Sequence, residues 1–144
     1  MNRRAFLAGI VGSASVTLAG CAGIMDTGRN TSQGDFDVGM GSNAFHPREL
    51  EVTPGTTVVW KNTGMRRHTV TAYGNGGIPK GAEYFASGGY DSEQAARDAW
   101  QSGYGGSIDQ GTTYEHTFEV PGSYSYFCVP HEPSGMSGSI VVTE

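Results

Sequence analysis

A nine-residue stretch near the C-terminus constrains this chain more than any other. Residues 128–136 (CVPHEPSGM) bring a thiol, an imidazole and a thioether into one short loop, at Cys128, His131 and Met136. These donors suit a copper ion that alternates between Cu(II) and Cu(I), and a type 1 copper site needs one more imidazole. The chain must therefore fold so that a distant histidine reaches this loop.

His68 is the candidate for the second imidazole. In residues 66–73, alternation places His68 on the inward face of a predicted strand with Val70, and Thr69 on the opposite face. An isolated inward histidine is more often a core residue than a ligand, but the donors downstream reverse that preference. The predicted metal ligands are His68, Cys128, His131 and Met136.

The two remaining histidines are not expected to bind metal. His116 takes an inward position on the strand predicted over residues 112–120, which favours a buried neutral imidazole hydrogen-bonded to backbone. His46 lies in the irregular segment 44–47 and receives the same interpretation.

Short alternating segments separated by turns predict an all-β sandwich. Turn signals such as Thr53-Pro54-Gly55 lie between them, and the 23 glycines favour many tight turns. The strands are expected within residues 48–52, 57–61, 66–73, 112–120, 123–128 and 137–143.

The segment Gly74–Gly111 interrupts this pattern. Asp91, followed by Gln94, resembles a capping box, and residues 93–100 have the length and alanine content of a two-turn helix. Because the segment contains no His, Cys or Met, we expect a structural insertion at one end of the sandwich that contributes no ligand.

The N-terminal residues indicate export and membrane attachment. Arg3 and Arg4 precede an uncharged, weakly apolar run, so residues 1–20 are predicted to be a twin-arginine signal peptide. Residues 18–21 (LAGC) resemble a lipobox, which makes Cys21 the expected site of lipid attachment. An uncleaved N-terminal anchor is the alternative, and in both cases Cys21 lies at the membrane and cannot pair with Cys128.

The rest of the N-terminal region is predicted to be a tether. Residues 21–34 are rich in small polar residues, and the folded domain is expected over residues 35–144. The predicted location is the outer face of the cytoplasmic membrane. Without Arg3 and Arg4, seven basic residues remain against fourteen acidic ones, a net charge of −7, which argues against a nucleic-acid partner.

Several motifs together resemble a plastocyanin-type cupredoxin. They are residues 51–56 (EVTPGT), 59–62 (VWKN), the lone His68, and 121–128 (PGSYSYFC) leading into the ligand loop. With the lipobox, the acidic balance and residues 115–118 (EHTF), the chain is most similar to a halocyanin. The resemblance implies a cupredoxin-like Greek-key β-sandwich holding one copper ion that cycles between Cu(II) and Cu(I).

The resemblance also implies a function. It indicates a monomeric one-electron carrier between membrane-associated redox proteins, which would dock where the edge of His131 reaches the surface. It does not indicate an enzyme, because four protein donors leave no open metal position for a substrate. Arg66 and Arg67 are either ordinary surface residues or steer an acidic partner.

Two positions depart from the family pattern. Many relatives carry Asn directly after the first histidine ligand, where this chain has Thr69, so the link between the ligand-bearing segments is weaker or replaced. Plant plastocyanins have Tyr just before the cysteine ligand, where this chain has Phe127, so a second docking site is not expected there.

Three other functions remain open from sequence alone. A copper storage or delivery protein is the main alternative to an electron carrier. A copper domain of a redox enzyme would require a second metal site, for which His46 and His116 are too few and too scattered. An immunoglobulin-like adhesion sandwich would take up no copper.

Overall fold

A computed structural model describes residues 35–144 as two β-sheets, with one α-helix between the fifth and sixth strands. The predicted signal peptide, tether and Cys21 lie outside the described residues. The strands are β1 (Val38–Met40), β2 (Phe45–His46), β3 (Glu49–Val52), β4 (Thr56–Asn62), β5 (Thr71–Ala72), β6 (Thr113–Phe118), β7 (Gly122–Phe127) and β8 (Ser137–Val142).

The strand order brings the two ligand-bearing segments together. One sheet has the order β2-β1-β4-β6, and the other has the order β3-β8-β7-β5. The β1–β4 and β3–β8 pairs are parallel, and the remaining pairs are antiparallel. Because Thr71 of β5 pairs with Phe127 of β7, the segment that follows His68 lies beside the segment that leads into Cys128.

The core lies between the sheets and follows the predicted alternation. Trp60 of β4 is fully buried and contacts aromatic rings from the other strands and from the insertion. The predicted inward positions of β4, β7 and β8 are buried, at Val58, Trp60, Tyr124, Tyr126, Ile140 and Val142. These large apolar groups supply most of the hydrophobic stabilisation, since its free energy scales with the apolar area removed from water.

The strand predicted over residues 66–73 is much shorter in the structure. Only Thr71–Ala72 is a strand, and all of residues 68–72 are buried, so Thr69 does not point into solvent as the alternation predicted. The reason is that the insertion covers this segment. Ile108 pairs with His68 through two backbone hydrogen bonds, and the Ser87 hydroxyl accepts one from the Val70 N–H.

The insertion contains the predicted helix, which is longer than expected. Helix α1 spans Glu93–Gly103, and its N-cap is Ser92, not Asp91, because the Ser92 hydroxyl accepts a hydrogen bond from the Ala95 N–H. The insertion is also more than an addition at one end. It contributes Phe85 and Ile108 to the core. Within the described part of the chain, no helix has the length and apolar character needed to cross a membrane.

Candidate metal centre

Three of the predicted ligands meet at one end of the sandwich. The Cys128 Sγ lies 3.6 Å from the His68 Nδ1 and 3.4 Å from the His131 Nδ1. The three donor atoms all lie within 4.8 Å of one another. Metal bonds of about 2.0 Å to nitrogen and 2.3 Å to sulfur place neighbouring donors of a trigonal plane about 3.5 Å apart. The donor spacing therefore fits a single copper ion.

A backbone carbonyl fixes the orientation of the His68 ring. The Nε2–H donates to the Gly41 carbonyl at 2.6 Å, so Nδ1 keeps its lone pair and faces Cys128. Burial lowers the pKa of His68, which keeps the ring neutral and able to bind metal. Gly64 permits this arrangement, because a Cβ at that position would lie 2.8 Å from the Gly41 oxygen.

Cys128 is fully buried and approached by a backbone donor. Its Sγ accepts a hydrogen bond from the Thr69 N–H at 3.3 Å. Burial raises the pKa of Cys128 to about 11, so without metal this side chain is a thiol at neutral pH. Since the thiolate is the form that binds metal, copper binding must release that proton.

The Thr69 hydroxyl links the two ligand-bearing segments. Its oxygen accepts a hydrogen bond from the Val129 N–H at 2.8 Å and lies 3.0 Å from the Thr71 hydroxyl. Val129 directly follows Cys128, so Thr69 holds the segment after His68 against the start of the ligand loop. The link expected to be weakened or replaced is therefore present, with a hydroxyl in the place of an amide.

The ligand loop is a short 3-10 helix that returns Met136 to the site. The helix spans Val129–Ser134, and Gly135 follows with a φ of 88°, a left-handed conformation that favours glycine. The Cys128 N–H donates to the Met136 carbonyl at 3.1 Å, and the Met136 N–H donates to the His131 carbonyl at 3.2 Å. These bonds hold the fully buried Met136 beside the other three donors.

His131 faces the surface more than the other donors do. It is partly exposed, whereas His68, Cys128 and Met136 are fully buried. Burial, and then the positive charge of Arg66, lowers the pKa of His131. Arg66 therefore lies close enough to His131 to affect its charge. We call the surface formed by His131, Arg66 and the 86% exposed Met65 the copper end of the sandwich.

Asn62 is a supporting residue to which the sequence pattern, where it ends the 59–62 motif, assigned no role at the metal centre. Its side chain is fully buried and holds the loop that precedes His68. Its amide N–H groups donate to the Arg66 carbonyl at 2.6 Å and the Ile108 carbonyl at 2.8 Å, and its oxygen accepts from Gly64. An Asn directly at a strand end was the available signal.

The other two histidines lie apart from the three donors. His46 is exposed on β2, so the expectation of a buried imidazole was wrong there. His116 is only half-buried and stacks on Phe85 with ring centroids 4.8 Å apart. Burial lowers its pKa, as expected for a ring partly removed from water.

A two-sheet sandwich with this set of donors at one end defines a cupredoxin, and its four side chains are positioned for one copper ion. The chain belongs to the plastocyanin/azurin family of copper binding proteins, whose pattern matches residues 32–143. The predicted fold class and the copper cofactor are thereby confirmed.

Individual relatives support this assignment along most of the chain. The major chloroplastic plastocyanin of Arabidopsis thaliana is 30% identical over 136 residues, covering 94% of this chain and 70% of the relative. Amicyanin-alpha of Methylorubrum extorquens is 27% identical over 142 residues, or 99% of each chain.

Solved structures agree with the fold. A Sinorhizobium pseudoazurin superimposes with a TM-score of 0.52 at 29% identity, covering 74% of this chain and 72% of the other. A reduced amicyanin variant gives a TM-score of 0.51 at 24% identity, covering 74% and 79%, and shows the similarity of fold alone.

Proposed function

We propose that this protein is a type 1 copper protein that carries single electrons. His68, Cys128, His131 and Met136 would hold the copper ion, a donor set typical of a type 1 site. The observation that carries the proposal is the close grouping of three donor atoms, all within 4.8 Å, at the end of a rigid sandwich. The bound copper supplies the Cu(II)/Cu(I) couple.

The backbone groups around the site favour electron transfer over catalysis. The Gly41 carbonyl accepts a hydrogen bond from the His68 ring, and the Thr69 N–H donates one to the Cys128 sulfur. Both donors are thereby held in place, so they would rearrange little between Cu(II) and Cu(I). With four protein ligands, the metal keeps no open position for a substrate, whereas catalytic metal sites need one.

The redox partner is proposed to dock at the copper end of the sandwich. His131 is the donor nearest solvent there, and the exposed Met65 offers an apolar contact. On the other side, Phe127 is fully buried beneath Tyr73 and Arg97, which supports the absence of a second docking site beside the cysteine. We expect the carrier to act as a monomer.

We also propose that the protein is a halocyanin-like lipoprotein at the outer face of the cytoplasmic membrane, where its redox partners are membrane-associated. The support is the Arg3-Arg4 pair and the lipobox that ends at Cys21. Mass spectrometry of the N-terminal peptide should detect a lipid on Cys21. In cell fractionation, Cys21→Ser should leave the membrane, whereas Cys128→Ser should remain there. Membrane retention of Cys21→Ser would contradict lipid anchoring.

Copper titration tests the copper centre and the carrier function. Cu(II) added to the purified protein should produce an intense blue thiolate-to-copper band and a type 1 electron paramagnetic resonance spectrum, both lost in Cys128→Ser. The band should bleach on reduction and return on oxidation. A protein that holds Cu(I) and stays colourless with oxidants would instead be a storage or delivery protein. Lack of copper uptake would refute both functions.

A further inference from the structure

We infer that Arg97, on helix α1 of the insertion, is a positioning residue for the copper-ligand loop. This role goes beyond electron carriage and rests on the copper site already described. It gives the insertion, which supplies no ligand, a function at the metal centre.

The guanidinium of Arg97 joins the helix to the ligand loop. Its Nη1 and Nη2 donate to the two carboxylate oxygens of Glu132, at 2.8 Å and 3.2 Å. Its Nε and Nη2 also donate to Glu93 at 2.8 Å and 2.6 Å. Glu93 in turn accepts a hydrogen bond from the Gly74 N–H. Glu132 is the residue after His131, so this bridge ends beside a copper ligand.

Two aromatic rings complete the same cluster. The Arg97 guanidinium lies over the Phe127 ring, 4.3 Å from its centroid, and Tyr73 stacks on Phe127 with centroids 4.4 Å apart. The Tyr73 hydroxyl donates to Glu132 at 2.8 Å. Because Phe127 precedes Cys128, the cluster holds the chain neighbours of two different ligands.

This bridge is stronger than an ordinary surface ion pair. The side chains of Arg97 and Glu132 are only 30% and 31% exposed, and the contact is two-pronged, which is the favourable geometry for arginine and carboxylate. A 3-10 helix has poor internal hydrogen bonding, so the loop that carries His131 benefits from an external anchor. Residues 129–134 belong to no strand, so backbone pairing in a sheet does not restrain them. The bridge to Arg97 supplies that restraint.

Removing Arg97 has two separable consequences. It breaks the bridge to the ligand loop, and it leaves the Glu132 carboxylate without its guanidinium partner near the copper site. The double variant Arg97→Gln/Glu132→Gln also breaks the bridge but removes both charges. Comparing the two variants therefore separates a loss of positioning from a change of charge.

The test measures copper release from the loaded full-length protein into excess EDTA. We expect Arg97→Gln to release copper about 10- to 100-fold faster than the wild type, the usual effect of removing a residue that orients a metal ligand. The double variant should release copper as fast as Arg97→Gln does. Lys80→Gln, which removes one positive charge at an exposed position of the same insertion, should release copper at the wild-type rate.

Spectroscopy distinguishes positioning from a general loss of stability. A displaced ligand loop should change the copper hyperfine splitting and the blue band of Arg97→Gln, which lower stability alone would leave unchanged. Arg97→Lys keeps the charge but lacks the forked guanidinium, so its copper-release rate should lie between those of the wild type and Arg97→Gln. If Arg97→Gln fails to fold, faster release from Arg97→Lys than from the wild type still tests the inference.

Three results would overturn the inference. They are wild-type release rates in Arg97→Gln and Arg97→Lys, wild-type spectra in both variants, or full recovery in the double variant. Each of these results is obtained only if the wild-type protein binds copper and is blue. Failure of this inference is therefore distinguishable from failure of the proposed copper site.

Discussion

At the scale of single residues, Thr69 shows how one hydroxyl oxygen can join two segments that are far apart in sequence. Its oxygen accepts from Val129, and its own N–H donates to the Cys128 sulfur. A buried N–H that loses its acceptor costs about 1 to 3 kcal/mol, so this link matters both for stability and for the position of the sulfur.

Replacing Thr69 with Val should therefore weaken copper binding. The variant keeps the shape of the side chain but loses the acceptor for the Val129 N–H, and we expect a copper affinity about tenfold to 100-fold lower. Competition titration with a chelator measures this change. Thr69→Ser keeps the hydroxyl and should bind nearly as tightly as the wild type. Equal affinities for the Val and Ser variants would contradict a role for the hydroxyl.

His116 makes stability depend on pH at a position away from the copper site. Burial lowers its folded-state pKa below 6.5, while nearby Glu83 opposes the shift. The unfolded chain therefore binds more protons as the pH falls through 6.5, so the stability present above that pH is progressively lost below it.

His116→Phe should reduce this loss at acid pH. The substituted ring can still stack on Phe85 but cannot take up a proton. Denaturant unfolding of the metal-free protein between pH 8 and pH 5 should show a smaller decrease in the free energy of unfolding than the wild type shows. His68 and His131, whose pKa values are also lowered, keep part of the slope. An unchanged slope would show that His116 titrates alike in both states.

At the scale of secondary-structure elements, the end of β4 holds the loop that delivers His68. Asn62 is the last residue of that strand, and its amide contacts Arg66, Ile108 and Gly64. These partners lie in the loop before His68 and in the segment that pairs with His68. One side chain thus sets the path of the chain into the metal centre.

Asn62→Ala should destabilise the protein by about 2 to 3 kcal/mol, since three hydrogen bonds of about 1 kcal/mol each are lost. Chemical denaturation of the metal-free protein gives this value. Asn75→Ala, at an exposed position, is the matched control and should change stability by less than about 0.5 kcal/mol. A similarly small effect for Asn62→Ala would mean that water replaces the lost contacts.

At the scale of the whole molecule, a positive charge lies near the copper end of an acidic protein. The formal net charge is −5, yet Arg66 acts on both His68 and His131. Its neighbour Arg67 forms an ion pair with Asp109 at 3.7 Å and lies 4.6 Å from the Tyr104 ring centroid. Of the two arginines, we therefore propose Arg66 as the one that steers an anionic partner.

Oxidation of the reduced protein by the anion ferricyanide tests this steering. Arg66→Gln should lower the second-order rate constant by about two- to tenfold at low ionic strength and flatten its dependence on salt. Arg67→Gln should have a smaller effect. Lys80→Gln is the control for net charge, because Lys80 lies away from the copper end. Its neighbour Pro79 packs against Gly122, at the end of β7 opposite to Cys128. Equal effects of all three substitutions would indicate net charge alone.

Local sequence pattern was sufficient for much of the fold and for the choice of donors. Alternation predicted β4, β7 and β8 with their buried faces, and β6 with a face on which Phe118 is buried and His116 half-buried, since the side chains of a strand point alternately to its two sides. It did not predict β1 and β2, whose three and two residues are too few to show a period. It also failed around Thr69, because both faces of that segment are covered.

The sequence by itself determined which chemistry this protein can perform, because the identity and spacing of Cys128, His131 and Met136 fix the donor set within one loop. Only the tertiary structure decided how those donors are held. Three contacts that hold them join residues 27 to 46 positions apart in the sequence. They are the hydrogen bonds from His68 to Gly41, from Asn62 to Ile108 and from Arg97 to Glu132. Such contacts have no local sequence period, since they depend on how sheets and insertion pack in space.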